Sequence, residues 1–303
     1  MNKNEPHTSA IVLAAFGTTY DSAVESLLAI KRSVEKAYPN TPVRYAFTSN
    51  IIRKKWHKRQ SDQQYQQDHP EIPASFYQVK NVLGTLADLQ NEGYNQIVVQ
   101  TTLLSHGEEF IDLKAYVDAL NSIETIKPEW KPFKQIALGR PLMGTWGKQY
   151  SYSEDIEKLA TSLVDDVEQA KAHHSALVYM GHGNDHLSTG LYYELEEQLN
   201  QLYPDLQIYV GLVEGHPNFA ALLQKLKNDR IQTVMIKPLM VVAGDHANND
   251  MAGDEDDSWK VMLSQNGIAV TPILEGLGSN DKIQQLYLQH LRDAAKDANI
   301  TLK

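Results

Sequence analysis

The chain has 303 residues, 42% of them hydrophobic, a formal net charge of −10 and no cysteine. That length suits one large α/β unit or two domains of roughly 150 residues, with enough apolar content for packed cores. The missing cysteines exclude disulfides, thiolate metal sites, iron–sulfur clusters and a cysteine nucleophile, and the acidic balance argues against nucleic acid as a partner.

The chain opens on MNKNEPHTSA, which is polar and lacks the apolar stretch of a signal peptide, and no later apolar run approaches the ~20 residues of a membrane span. The expectation is a soluble cytoplasmic protein. A first strand is expected at 11–16 and an amphipathic helix at 23–37, then a second strand at 43–48. The stretch from about 50 to 80 reads as an insertion. It crowds Arg53, Lys54, Lys55, His57, Lys58 and Arg59 together and adds Trp56, Tyr65, Phe76 and Tyr77. A solvated helical face would explain the basic run, but in an acidic protein it is also a cationic patch for an anionic ligand. A helix at 79–91 and strands at 96–102 and 135–139 complete the first half. The second half reads as a helix at 153–172, strands at 175–180, 207–212, 232–237 and 268–273, helices at 191–202 and 219–229, and a closing helix at 282–298. Short apolar strands alternating with helices argue for parallel sheets with crossover helices.

The two halves repeat one another. IVLAAFGTTYDSA from Ile11 corresponds to LVYMGHGNDHLST from Leu177, and YPNTPVRYAFTS from Tyr38 to YPDLQIYVGLVE from Tyr203. IVVQTTLLSHGEE from Ile97 pairs with VMIKPLMVVAGDH from Val234, and ALGRPLMG from Ala137 more loosely with PILEGLGS from Pro272. The expected fold is α/β: two similar doubly wound, Rossmann-like parallel-sheet domains related by internal duplication, with a cleft between them. The expected boundaries are 1–142 for the N-terminal domain with its insertion and 143–303 for the C-terminal one, the last helix being free to pack on the N-terminal domain.

In this alignment Phe16 falls on His182, Ser49 on Glu214 and Glu109 on His246. Ligands of open parallel sheets bind beyond the carboxyl ends of the strands, and His182, Glu214 and His246 each stand where a strand gives way to a loop. Two imidazoles and a carboxylate suit borderline divalent metals such as cobalt, nickel, iron or zinc. Asp185, Asp245 and Asp250, or Asn184, Asn248 and Asn249, are candidates to orient the imidazoles. A single histidine after a strand is more often structural, and His106, His186 and His216 stay open as alternative ligands. His173 and His174, late in a helix, suit its C-terminal dipole. The acidic run Asp254 to Asp257 reads as the cap of a helix starting near Ser258 and Trp259. No Walker motif, dinucleotide fingerprint or G-x-S-x-G elbow occurs, which disfavours nucleotide-dependent chemistry and serine hydrolysis.

The segments LAAFGTT, YMGHGND, GLVEGHP and KPLMVVAGDHANNDMAGDEDDSW together resemble the anaerobic-type sirohydrochlorin cobaltochelatases, class II chelatases of the ferrochelatase superfamily. The likeness runs from about Ile11 to beyond Leu277. It implies a bilobal fold that inserts cobalt(II) into sirohydrochlorin without ATP in cobalamin synthesis. It also implies a metal-binding pair at His182 and His246, an associated glutamate at Glu214 and, less directly, an acidic group at Glu109. Cobalt is then a substrate, with no nucleotide and no iron–sulfur cluster. The partner is an anionic tetrapyrrole, with neither nucleic acid nor membrane, and the family suggests a homo-oligomer. Leu13, Phe16, Gly17 and Thr18 would offer a smooth surface to a flat ring, and Arg53 and Lys54 would meet its carboxylates. A sirohydrochlorin ferrochelatase for sirohaem, a non-catalytic tetrapyrrole or metal carrier, and a metal-dependent hydrolase remain alternatives.

Overall fold

The computed structural model describes residues 9–303; residues 1–8 of the polar opening segment lie outside the described residues. Strand β1 (Ser9–Ala15) leads through α1 (Asp21–Ala37) to β2 (Val43–Phe47). Helices α2 (Asn50–Arg59) and α3 (Gln63–Asp68), a short 3-10 helix (Ala74–Gln78) and α4 (Val82–Asn91) precede β3 (Gln96–Thr101), and α5 (Glu108–Asn121) precedes β4 (Gln135–Gly139). After α6 (Tyr152–Ser162) and α7 (Val164–Ala172) the pattern repeats as β5 (Ala176–Gly183), α8 (Gly190–Leu202), β6 (Ile208–Glu214) and α9 (Phe219–Asn228). It continues through β7 (Thr233–Leu239), α10 (Trp259–Gln265) and β8 (Ala269–Pro272) to α11 (Asp281–Asp297).

The strands form two four-stranded sheets, ordered β2-β1-β3-β4 and β6-β5-β7-β8, and every pairing is parallel. The identical order bears out the α/β class and the duplicated architecture. The central strands β1 and β5 are apolar on both faces because helices cover both sides of each sheet. Val12, Val99 and Leu86 belong to an outer core under the first sheet, and Val178, Ile236 and Leu222 to one under the second. A single larger core between the sheets takes side chains from both halves, including Leu27, Phe47, Leu159, Leu177, Leu195 and Tyr287. The halves therefore share buried apolar surface, which opposes independent movement.

Two local readings are corrected. The helix expected over 153–172 is divided at Leu163, whose ψ of 10° departs from helical geometry. Just before it, the Thr161 and Ser162 hydroxyls donate to the carbonyls of Glu157 and Lys158, and such back-bonding bends helices. The fifth strand also runs on past 180, because its pairing with β6 continues to Gly183 opposite Glu214. His182 is consequently a strand residue and Glu214 the last residue of β6. The helix near Trp259 forms, but Ser258 caps it by accepting from the Val261 amide, while Asp254 pairs with Lys260.

Helix α11 packs on β3, β4 and α1, and the Tyr287 hydroxyl donates to the Thr102 carbonyl at 2.8 Å. Where the chain crosses between the halves, Arg140 grips Asp155 through Nε at 2.6 Å and Nη2 at 3.0 Å, and Asp293 through Nη1 at 2.8 Å. His290 of α11 completes this buried cluster, 3.3 Å from the Asp155 carboxylate. Burial opposes ionisation of Asp155, but the bonds to His290 and Arg140 outweigh it and hold the carboxyl at about 2.

Candidate metal centre

His182 is half-buried near the end of β5, and its Nδ1 lies 2.8 Å from the Gly183 carbonyl oxygen. A carbonyl only accepts, so Nδ1 carries the proton and Nε2 keeps a free lone pair. The chain turns there at Gly183 with φ of +75°, and a Cβ at this position would fall 1.9 Å from the Glu214 carbonyl oxygen. Only glycine allows the two strand ends to lie this close.

His246 sits at the start of a π-helical turn over Ala247–Met251 beyond β7. Its Nδ1 is 2.5 Å from Oδ2 of Asp250, four residues on. A carboxylate placed in this way fixes the orientation of the ring and leaves Nε2 as the outward nitrogen. The turn also holds itself together, with Asn248 donating to the carbonyls of Ala243 at 2.9 Å and Gly244 at 2.7 Å. The two rings stand 5.0 Å apart between centroids at 76° to one another. Residues separated by 64 positions in sequence thus become an adjacent pair, each with one nitrogen held and one available.

Glu214 stands exposed at the rim of the adjacent strand. Among the described residues, no group of three or more His, Asp or Glu side chains lies close enough to hold a metal ion. What the structure brings together is the histidine pair itself.

Glu109 enters from the other half, in the first turn of α5. Its side chain keeps access to solvent, yet its carboxyl is pushed up to about 7, first by desolvation among the surrounding protein and then by Asp112, Glu108 and Glu214. The field of Glu214 reaching Glu109 relates the two carboxylates across the cleft, and a carboxyl at this value exchanges protons near neutrality.

On the N-terminal side Phe16 is 47% exposed where the duplicated half has His182. Gly17, with φ of +97°, turns the chain where a Cβ would lie 2.8 Å from the Phe47 ring. Thr18 is buried, its carbonyl accepting from Trp56 Nε1 at 2.8 Å, and the Thr19 carbonyl accepts from Arg59 at 2.9 Å. Leu13 does not reach the cleft: it is 0% exposed in mid-strand and belongs to the core between the sheets.

The insertion builds α2 and α3 and buttresses this loop. Trp56 packs edge-on against Tyr65, Phe76 and Tyr77, and the Arg59 guanidinium lies over Trp56 and Tyr65 at 4.6 and 4.5 Å. The basic run thereby divides. Arg53 bonds the carbonyls of Phe47 and Thr48, His57 lies 2.7 Å from the Val79 carbonyl and Arg59 is stacked, whereas Lys54, Lys55 and Lys58 are exposed.

Of the other histidines, His216 lies tilted beside Tyr193 and His106 packs edge-on to Phe110. His106 is driven below its ordinary value by desolvation, then by His186 and Lys114. Asp245 does not serve a histidine; it accepts from the Tyr20 hydroxyl at 2.8 Å and from Asn249 at 3.0 Å. That bond, first among its causes, also raises the Tyr20 pKa, keeping the hydroxyl a donor. Tyr20 is the residue that the sequence reading missed. The i,i+4 spacing of His246 and Asp250 was visible in the chain, but the contact with Tyr20 spans 225 positions.

Residues 9–296 match the family described as Cobalt chelatase (CbiK). The chain belongs to this family. It is 29% identical over 287 residues to a sirohydrochlorin cobaltochelatase of Salmonella typhimurium, covering 94% of this chain and 96% of that one. It is 28% identical over 284 residues to the sirohydrochlorin cobaltochelatase CbiKC of Nitratidesulfovibrio vulgaris, covering 94% and 89%. Among solved structures it resembles SirB from Bacillus subtilis with Fe3+, at a TM-score of 0.58 and 13% identity over 98% of this chain and 100% of that one. A second SirB structure, from Bacillus subtilis subspecies spizizenii in complex with cobalt, gives 0.57 at 12% identity over 96% and 97%. At such identities the likeness is one of fold. It agrees with the paired sheets of this cobalt chelatase family member.

Proposed function

We propose that this chain inserts cobalt(II) into sirohydrochlorin without a nucleotide or an iron–sulfur cofactor, as a cytoplasmic enzyme of cobalamin synthesis. The observation that carries the reading is the facing pair His182 and His246, each with Nδ1 engaged and Nε2 free, at the strand ends of a chain in the cobalt chelatase family. Borderline imidazole donors hold a cobalt ion, and few protein ligands leave positions open to the macrocycle nitrogens. Insertion also requires the pyrrole N–H protons to leave. The histidines accept them in this scheme, with Glu214 as further ligand or relay. Glu109, whose carboxyl sits at about 7, passes protons onward from the opposite wall.

The macrocycle lies against Phe16, with Gly17 and Thr18 shaping the loop that presents this ring. Its carboxylates meet the exposed Lys54, while Arg53 is held to the carbonyls of Phe47 and Thr48 and to Asn50. No described helix is long and apolar enough to cross a membrane. The test is anaerobic absorption spectroscopy of the protein with sirohydrochlorin, adding cobalt(II) and iron(II) in separate runs. Conversion with cobalt faster than in protein-free controls, abolished by His182→Ala, is expected. Preference for iron would assign a ferrochelatase; tight binding without acceleration would make the chain a carrier; full turnover in His182→Ala would remove the histidine role.

A further inference from the structure

The turn that carries His246 is tied to the opposite half of the molecule. Asp245 and Asn249 flank His246 in sequence, and their side chains join the Tyr20 hydroxyl in a closed ring of hydrogen bonds. Tyr20 donates to Asp245 Oδ1 at 2.8 Å, Asn249 Nδ2 donates to Tyr20 at 3.0 Å, and Asn249 Nδ2 donates to Asp245 Oδ1 at 3.0 Å. Tyr20 belongs to the loop after β1, the same loop that presents Phe16 and is braced by Trp56 and Arg59. The contact has a counterpart under the internal duplication. In the alignment that places Phe16 on His182 and Glu109 on His246, Tyr20 falls on His186 and Asp245 on Glu108. There too the loop after β5 meets the loop after β3: a Cβ on Gly107 would lie 2.9 Å from the Asn184 side chain, and Ser105 bonds Tyr192. Equivalent elements therefore bridge the halves twice, and the Tyr20 contact is the one that holds the turn bearing His246.

We propose that Tyr20 is a positioning residue for His246: its hydroxyl, reaching across from the N-terminal half, sets the turn on which the imidazole is presented. The inference rests on the reading of His246 as a metal ligand. Both Asp245 and Asp250 are anchored within one helical turn, so releasing the first loosens the frame in which the second aims Nδ1. The proposal predicts an effect on metal uptake and not on the tetrapyrrole.

The experiment titrates the full chain, free of tetrapyrrole, with cobalt(II) chloride under anaerobic conditions, and measures KM for cobalt and for sirohydrochlorin separately. Tyr20→Phe should weaken cobalt binding about tenfold, the lower end of the range for an outer partner of a metal ligand. KM for cobalt should rise in step, while KM for sirohydrochlorin and the melting temperature hold. Asp245→Ala should reproduce the loss, Asp245→Asn, which keeps an acceptor oxygen, should restore binding, and Tyr20→Phe with Asp245→Ala should be no worse than either alone. Wild-type cobalt affinity in Tyr20→Phe, or full additivity in the double variant, overturns the proposal. A His246→Ala control separates the two ideas. If it binds cobalt normally, the metal-ligand reading fails; if it loses cobalt while Tyr20→Phe does not, only the positioning role fails.

Discussion

Replacing Asp155 by asparagine removes the charge at the centre of the cluster that joins the halves. Arg140 would keep Asp293 at 2.8 Å but lose its paired bonds to Asp155, with His290 facing an amide. Breaking one partner out of a buried pair costs about 3–5 kcal/mol, because it strands the remaining charge. The pH dependence is the sharper signature. The Asp155 carboxyl falls from its ordinary value of 3.8 to about 2 in the fold. A depressed carboxylate contributes stability above its unfolded value, and that contribution is lost as pH falls through the folded one. The shift corresponds to about 2 kcal/mol at neutral pH, of which roughly half is lost by pH 3 and most by pH 2. Urea denaturation of wild type and Asp155→Asn at pH 6, 3 and 2 reads this directly. The stability gap should narrow by those amounts as the medium is acidified. A gap that stays constant across the series would refute the account, since the cluster would then hold Asp155 by shape and not by charge.

Asp250→Ala leaves the His246 Nδ1 without its carboxylate, and cobalt(II) binding measured by titration should weaken about 10- to 100-fold with little change in melting temperature. Trp56→Phe removes the only donor on that ring and leaves the buried Thr18 carbonyl without it; urea denaturation should show a loss of about 1–3 kcal/mol. The same variant should raise KM for sirohydrochlorin, because Phe16 is presented by the loosened loop.

Much of this molecule was legible in order along the chain. The eight strands were visible because parallel strands covered on both faces read as apolar β-branched runs, and the two halves betrayed each other by repeating those runs. Where the reading slipped, the deciding contacts were not local. The end of β5 depends on β6 accepting a partner at Glu214. Leu13 looked like ligand surface because it precedes Phe16, but a strand buried on both faces sends every side chain into a core. Arg53 read as a free cation, yet its guanidinium is taken up by the carbonyls of Phe47 and Thr48.

What the amino-acid sequence determined by itself was the periodicity, the duplication and the residue types: His182, Glu214 and His246 stand at or beyond the carboxyl ends of three recognisable strands. What tertiary structure alone decided was how those side chains meet. It brought the two imidazoles to 5.0 Å between centroids, left Glu214 outside any three-residue cluster among the described residues, put Glu109 at about 7 and delivered Tyr20 to Asp245. The physical reason is that spacing along a helix or strand follows from backbone geometry, whereas distances across a cleft follow from how two sheets pack around a shared core.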